Sequence, residues 1–83
     1  MERSEIFSRV NDVMRDIFDE DDLVATEEMS ADDVADWDST NHVRLIVAVE
    51  EEFGIRFESD EITAPETVGE LVDLIASKQG SGT

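Results

Sequence analysis

The stretch that decides the fold is Asp38 to Gly54, DSTNHVRLIVAVEEEFG. Asp38 is a good helix N-cap and Gly54 stands where a left-handed C-terminal residue is wanted, so the segment between them reads as one helix. Asp38 as cap puts Ser39 in the first turn. At about 100° per residue, His42, Leu45, Ile46, Val49 and Phe53 fall within about a 100° arc, enough for a core-facing stripe. Val43 and Val47 fall outside it, on the side of Thr40. The spacing therefore predicts a small apolar strip on the solvent side, flanked by Arg44, Glu50 and Glu51.

Working outward from this helix, residues 4 to 18 place Ile6, Val10, Val13, Met14, Ile17 and Phe18 along one stripe. Arg3, Glu5, Arg9, Asp12, Arg15 and Asp16 take the wet side, and Ser4 is the expected cap. Residues 19 to 37 have no sustained period. A connection of that length is unusual in a compact domain; its Leu23, Val24, Met29, Val34 and Trp37 predict a crossover pinned onto the helices. After Gly54, Ile55 and Phe57 alternate with Arg56 and Glu58 as a short extended link. Ser59 is the expected cap of a one-turn helix over 60 to 63, stopped near Pro65. Thr67 and Glu70 form a capping-box pattern ahead of Val68, Leu71, Val72 and Ile75, a final helix ending near Lys78. The expected fold is all-α: a small four-helix bundle with three main helices, one short helix and a long loop between the first two. Residues 1–79 make one domain and 80–83 (GSGT) a flexible tail.

Composition narrows the function. Eighty-three residues leave room for one core and little room for a deep, water-free cleft. Six basic against twenty-three acidic residues give a formal charge of −17. Such a surface binds no nucleic acid and is repelled by anionic lipid, but attracts basic protein surfaces. Self-repulsion predicts a monomer. The absence of cysteine excludes disulfides and thiolate metal sites, so any thiol chemistry has to arrive on a cofactor. No apolar run reaches the length of a signal core or membrane span, and the expected address is the cytoplasm.

With Asp38-Ser39 at a helix start, the following LIVAVEEEFGI, the Ser59-Asp60-Glu61-Ile62 turn and the Thr67-Val68 helix, the chain resembles the acyl carrier proteins from Ile6 to Ile75. The resemblance implies that Ser39 receives 4′-phosphopantetheine from a phosphopantetheinyl transferase. The thiol of that arm would hold acyl groups as thioesters for fatty-acid, polyketide or related enzymes. It also implies that Asp38 assists the transferase's metal site. Thr40 replaces the leucine or methionine usual after the serine, and Arg44 stands where many members carry an acid. Trp37 before the aspartate is similar to a subgroup of discrete carriers.

Three further groups bear on function. His42, inside the apolar arc, is either a satisfied, partly buried histidine or a liner of the entrance where arm or cargo rests; Trp37 is expected to anchor the loop. Asp19 to Asp22 with Glu27 and Glu28 lack the spacing of a calcium loop, so solvated charge with loose divalent-ion binding is expected, and no dedicated metal site. Glu50, Glu51 and Glu52 crowd a helix C-terminus, where anions are disfavoured, and so point to recognition by basic enzyme surfaces that load and transfer acyl groups. The rival readings are a hydrolase built on Asp38, Ser39 and His42, which one helical turn accommodates poorly, and an acidic interaction or ion-binding adaptor without a prosthetic group.

Overall fold

The computed structural model describes residues 2–80, and all regular structure among them is helical. Helix α1 spans Arg3–Ile17, α2 Ser39–Phe53, α3 Ser59–Ile62 and α4 Val68–Gly80, with a single 3-10 turn at Ala31–Asp33 in the long crossover. Helix α1 packs against both α2 and α4. Its buried stripe is Ile6, Val10 and Met14, extended by Phe18 just past the helix. These meet Leu45, Ile46, Val49 and Phe53 of α2 and Val68, Leu71, Val72 and Ile75 of α4. Each such side chain contributes about 1.5–3 kcal/mol by leaving water, which holds the bundle together against its charge.

The caps explain the boundaries. Asp38 accepts a hydrogen bond from the Asn41 amide at 2.8 Å, and Gly54 closes α2 in the left-handed region at φ 66°. Thr67 Oγ1 accepts from the Glu70 amide at 3.2 Å. Two expected caps move. Helix α1 begins before Ser4, from Glu2, which makes no side-chain cap bond. Helix α3 is capped by Glu58, not Ser59: Glu58 and Glu61 form the capping box, with a Glu58 amide to Glu61 Oε1 bond of 2.8 Å. With the Glu58 amide held by the Glu61 carboxylate and the Glu61 amide bonded to the Glu58 carbonyl at 2.9 Å, Ser59 enters the helix as its first residue. Helix α4 runs on past Lys78, and residues 81–83 of the expected tail lie outside the described residues.

The crossover is pinned, as its apolar residues predict, with one exception. Ala25, Val34 and Trp37 are buried, and Leu23 and Met29 pack against the core, but Val24 points outward at 68% exposure. Asn11, on the core side of α1, takes both edges of the loop backbone: its Nδ2 donates to Leu23 O at 3.3 Å and its Oδ1 accepts from the Ala25 amide at 2.5 Å. Arg15 adds a bond to the same Leu23 carbonyl. Further along, the first amides of α4 are satisfied by loop carbonyls, Val68 by Met29 and Gly69 by Glu27. Gly69 allows this close approach, because a Cβ would lie 3.0 Å from Glu27 O, a contact tighter than side chains ordinarily make. Arg3 then clasps Glu27 through both terminal guanidinium nitrogens, Nη1 and Nη2, at 2.9 Å and reaches Asp73 through Nε at 2.7 Å. So α1, crossover and α4 are tied at one corner.

Candidate functional site

Everything in the crossover leads to the head of α2. Ser39 is the first residue of that helix, and its side chain is exposed. Asp38 places it: the carboxylate turns back onto the Asn41 amide, and the Asp38 carbonyl accepts the first helical bond from His42 at 2.8 Å. Asn41 Nδ2 donates to Asp36 O at 2.7 Å, stitching the preceding loop to the first turn. The first turn of α2 holds no acidic residue, and the early amides that lack an intrahelical partner give it a partial positive charge. An exposed hydroxyl at such a position accommodates an anionic substituent.

Trp37 and His42 lock the same corner from within. The Trp37 ring is 7% exposed and packs at 5.9 Å from Phe18. Its Nε1–H donates to His42 Nδ1 at 3.0 Å, and the two rings stack at 18°. His42 Nε2 meets the carbonyl of Ile62 at 2.6 Å, so the histidine bridges the crossover, α2 and the end of α3. Both ring nitrogens are engaged away from Ser39, and the Asp38 carboxylate caps the helix; the three do not assemble a nucleophile–base–acid relay. His42 is thus a half-buried histidine with both ring nitrogens engaged. It also lines, with Trp37, Thr63, Pro65 and Thr67, an open cleft of about 490 Å³ beside the head of α2, where its ring offers a surface but no spare hydrogen-bonding atom.

The outer face of α2 carries the expected strip. Val43 is 51% and Val47 47% exposed, with Thr40, Arg44 and Glu51 exposed beside them. A shallow depression continues from Val47 past Glu51 to Gly54, Ile55 and Arg56. The three glutamates at the end of α2 have different positions. Glu50 Oε2 accepts from the Phe57 amide at 2.8 Å and holds the extended link. Glu52 pairs with Arg9 of α1 at 3.0 Å. Glu51 alone stands clear on the exposed face.

The sequence reading missed the loop braces: Asn11, Arg15, and Arg3 with Glu27. Asn11 carried a signal, since a polar residue within an apolar helical stripe requires buried partners. Glu27, expected as solvated loop charge, is held by Arg3, and hydrogen bonds from that guanidinium lower its pKa from the ordinary 4.5. Among the described residues no group of three or more His, Asp or Glu side chains converges as a metal site, and no helix is long and apolar enough to cross a membrane.

A small helical bundle that presents one exposed serine at the head of an amphipathic helix, with an apolar strip running away from it, is a carrier scaffold. Comparison with known proteins makes the assignment specific. An acyl carrier protein of Lactobacillus acidophilus is 36% identical over 80 residues, spanning 96% of this chain and all of that protein. One from a Picosynechococcus species is 40% identical over 78 residues, spanning 93% of this chain and 95% of that protein. The solution structure of the holo acyl carrier protein from Geobacter metallireducens superposes with a TM-score of 0.84 at 36% identity, covering 92% of this chain and 87% of that one. No family model matches the chain. The chain belongs to the acyl carrier protein family.

Proposed function

We propose that this chain carries acyl groups on a 4′-phosphopantetheine arm esterified to Ser39. The observation that supports this most directly is the exposed hydroxyl of Ser39 at the first position of α2, fixed by the Asp38 cap. The local chemistry fits a phosphodiester: beyond the capping Asp38 the first turn of α2 carries no acid, and the helix N-terminus favours the added negative charge. When attached, the arm supplies the thiol that this cysteine-free chain lacks, and acyl groups ride on it as thioesters. The chain itself does the presenting. Asp38 fixes the attachment point, Trp37 and His42 hold the adjoining loop against α2 and α3, and the cleft beside them offers a surface on which arm or cargo can rest.

Docking falls to the outer face of α2. Val43 and Val47, with Thr40, form the apolar contact; Glu51 and the overall charge of −17 draw in basic client enzymes from a distance. Those clients are the phosphopantetheinyl transferase and the enzymes that load and remove acyl groups in a fatty-acid, polyketide or related pathway, working in the cytoplasm. No reaction is assigned to the carrier's own side chains. Incubation with coenzyme A and a permissive transferase should give a single phosphopantetheine adduct by intact-protein mass, absent in Ser39→Ala. The absence of an adduct with several transferases would favour the acidic adaptor.

A further inference from the structure

The cations of this protein are placed unevenly. Arg3 pairs with Glu27 and Asp73, Arg9 with Glu5 and Glu52, Arg15 with Asp12, and Lys78 with Glu61. Arg44 and Arg56 stand exposed and, among the described residues, enter no ion pair. Arg56 nevertheless lines one depression together with Glu50 and Glu51, so negative charge lies alongside it. Arg44 differs. Its neighbours one turn away on α2 are Thr40, Asn41, Val47 and Ala48, none of them ionised. Its hydrogen bond is a long one, 3.4 Å from Nη1 to Asn41 Oδ1. A chain of net charge −17 therefore holds one arginine whose neighbours one helical turn away are all neutral and which, among the described residues, is in no ion pair.

Position says what this arginine faces. Five residues separate it from Ser39, about 7.5 Å along the helix and about 140° around it, so it does not project toward a group on Ser39. It lies only about 60° from Val47 and borders the apolar strip. Any enzyme that covers the strip covers Arg44. At a distance the partner is chosen by the negative field, which selects a cationic face. At contact, a uniformly cationic face would press positive charge against Arg44 and leave it desolvated and unpaired.

Resting on the carrier reading, we propose that Arg44 is a specificity contact: the docking face of this chain's phosphopantetheinyl transferase carries a carboxylate opposite it. That carboxylate edges an apolar recess for Val43 and Val47, within a surface otherwise positive. The field then sets the encounter rate, while the Arg44 pair rejects enzymes whose faces are positive throughout.

The test is kcat/KM for arm transfer from coenzyme A by the transferase of the source organism. Arg44→Glu moves the formal charge from −17 to −19, because +1 becomes −1, and strengthens the long-range attraction. If charge attraction were all, this variant would be faster. The proposal expects it about tenfold slower, mostly in KM, Arg44→Gln about threefold slower, and Arg44→Lys within about twofold of the parent. Thermal midpoints should match throughout, as the side chain is exposed. Arg44→Glu as fast as the parent or faster, or Arg44→Lys as slow as Arg44→Glu, overturns the proposal. A parent chain that no transferase modifies overturns instead the carrier reading on which it rests.

Discussion

The indole Nε1–H of Trp37 donates to Nδ1 of His42 at 3.0 Å, and this one bond determines the state of the histidine. An indole nitrogen is only a donor, so Nδ1 must be the acceptor and the ring proton sits on Nε2. Nε2–H then donates to the Ile62 carbonyl at 2.6 Å. Crossover, α2 and α3 are thereby joined by a chain in which every member is satisfied. Trp37→Phe breaks it while keeping an aromatic ring, and leaves Nδ1 without its donor. The expected loss is about 1–3 kcal/mol, read as a lower urea midpoint by circular dichroism. In the parent, the lone indole N–H should exchange slowly with solvent; fast exchange together with an unchanged midpoint for the variant would remove the bridge.

Two carboxylates contribute stability that is lost in acid. Hydrogen bonds from Arg3 hold Glu27 below its ordinary value near 4.5, and the Glu58 amide, then Lys78, do the same for Glu61. A group whose folded value is depressed stabilises the fold above its unfolded value and ceases to as pH falls through the folded one. Both contributions are therefore complete at neutral pH and drain away below about 4.5. Protonating the many exposed acids relieves repulsion over the same range, so the comparison has to be differential. Glu27→Gln and Glu61→Gln should lower the thermal midpoint near neutrality and converge with the parent in strong acid. A constant offset at every pH would assign the loss to packing instead.

What the sequence made legible was what neighbouring residues decide. The cap at Asp38, the turn at Gly54, the core stripe of α2 and the outward valines follow from period and local hydrogen bonding, which act within one turn. Ser39 was placed by the same logic. The crossover was not legible in detail, because its anchors are distant in sequence: Arg3 finds Glu27 and Asp73, and Asn11 finds Leu23 and Ala25. The α2 glutamates show the same limit. A charge can be read from a sequence, but whether an amide seven residues away or an arginine forty-three residues away has claimed it cannot. Ser59 yielded its capping place to Glu58 for a related reason, since a glutamate three residues on completed the reciprocal box.

Glu50 and Glu51, adjacent in sequence, should part in experiment. Glu50 takes the Phe57 amide, so Glu50→Ala strands a half-buried donor and loosens the link that positions α3; about 1–2 kcal/mol is expected. Glu51 is exposed, and Glu51→Gln should change stability by less than about 0.5 kcal/mol. Its effect should appear in arm transfer to Ser39, as a slower association whose difference from the parent vanishes in high salt. Urea titration and rate measurements at two ionic strengths separate the two. Equal stability losses would make Glu51 a structural residue as well.

Val47→Glu tests the apolar half of docking against the electrostatic half. The valine is 47% exposed and outside the core, and glutamate has at least as good a helix propensity, so the thermal midpoint should hold. The formal charge becomes −18, one more negative than the parent's −17. A partner held by charge alone would bind the variant more tightly. A partner that covers the Val43–Val47 strip has to desolvate a carboxylate in place of an isopropyl group, and it also loses about 1–2 kcal/mol of apolar burial. Arm transfer to Ser39 should therefore slow by about tenfold or more in kcat/KM. Added salt should not restore it, because the deficit lies in contact and not in approach. A rate equal to the parent's would leave the strip uncovered in the complex and place docking elsewhere on the protein.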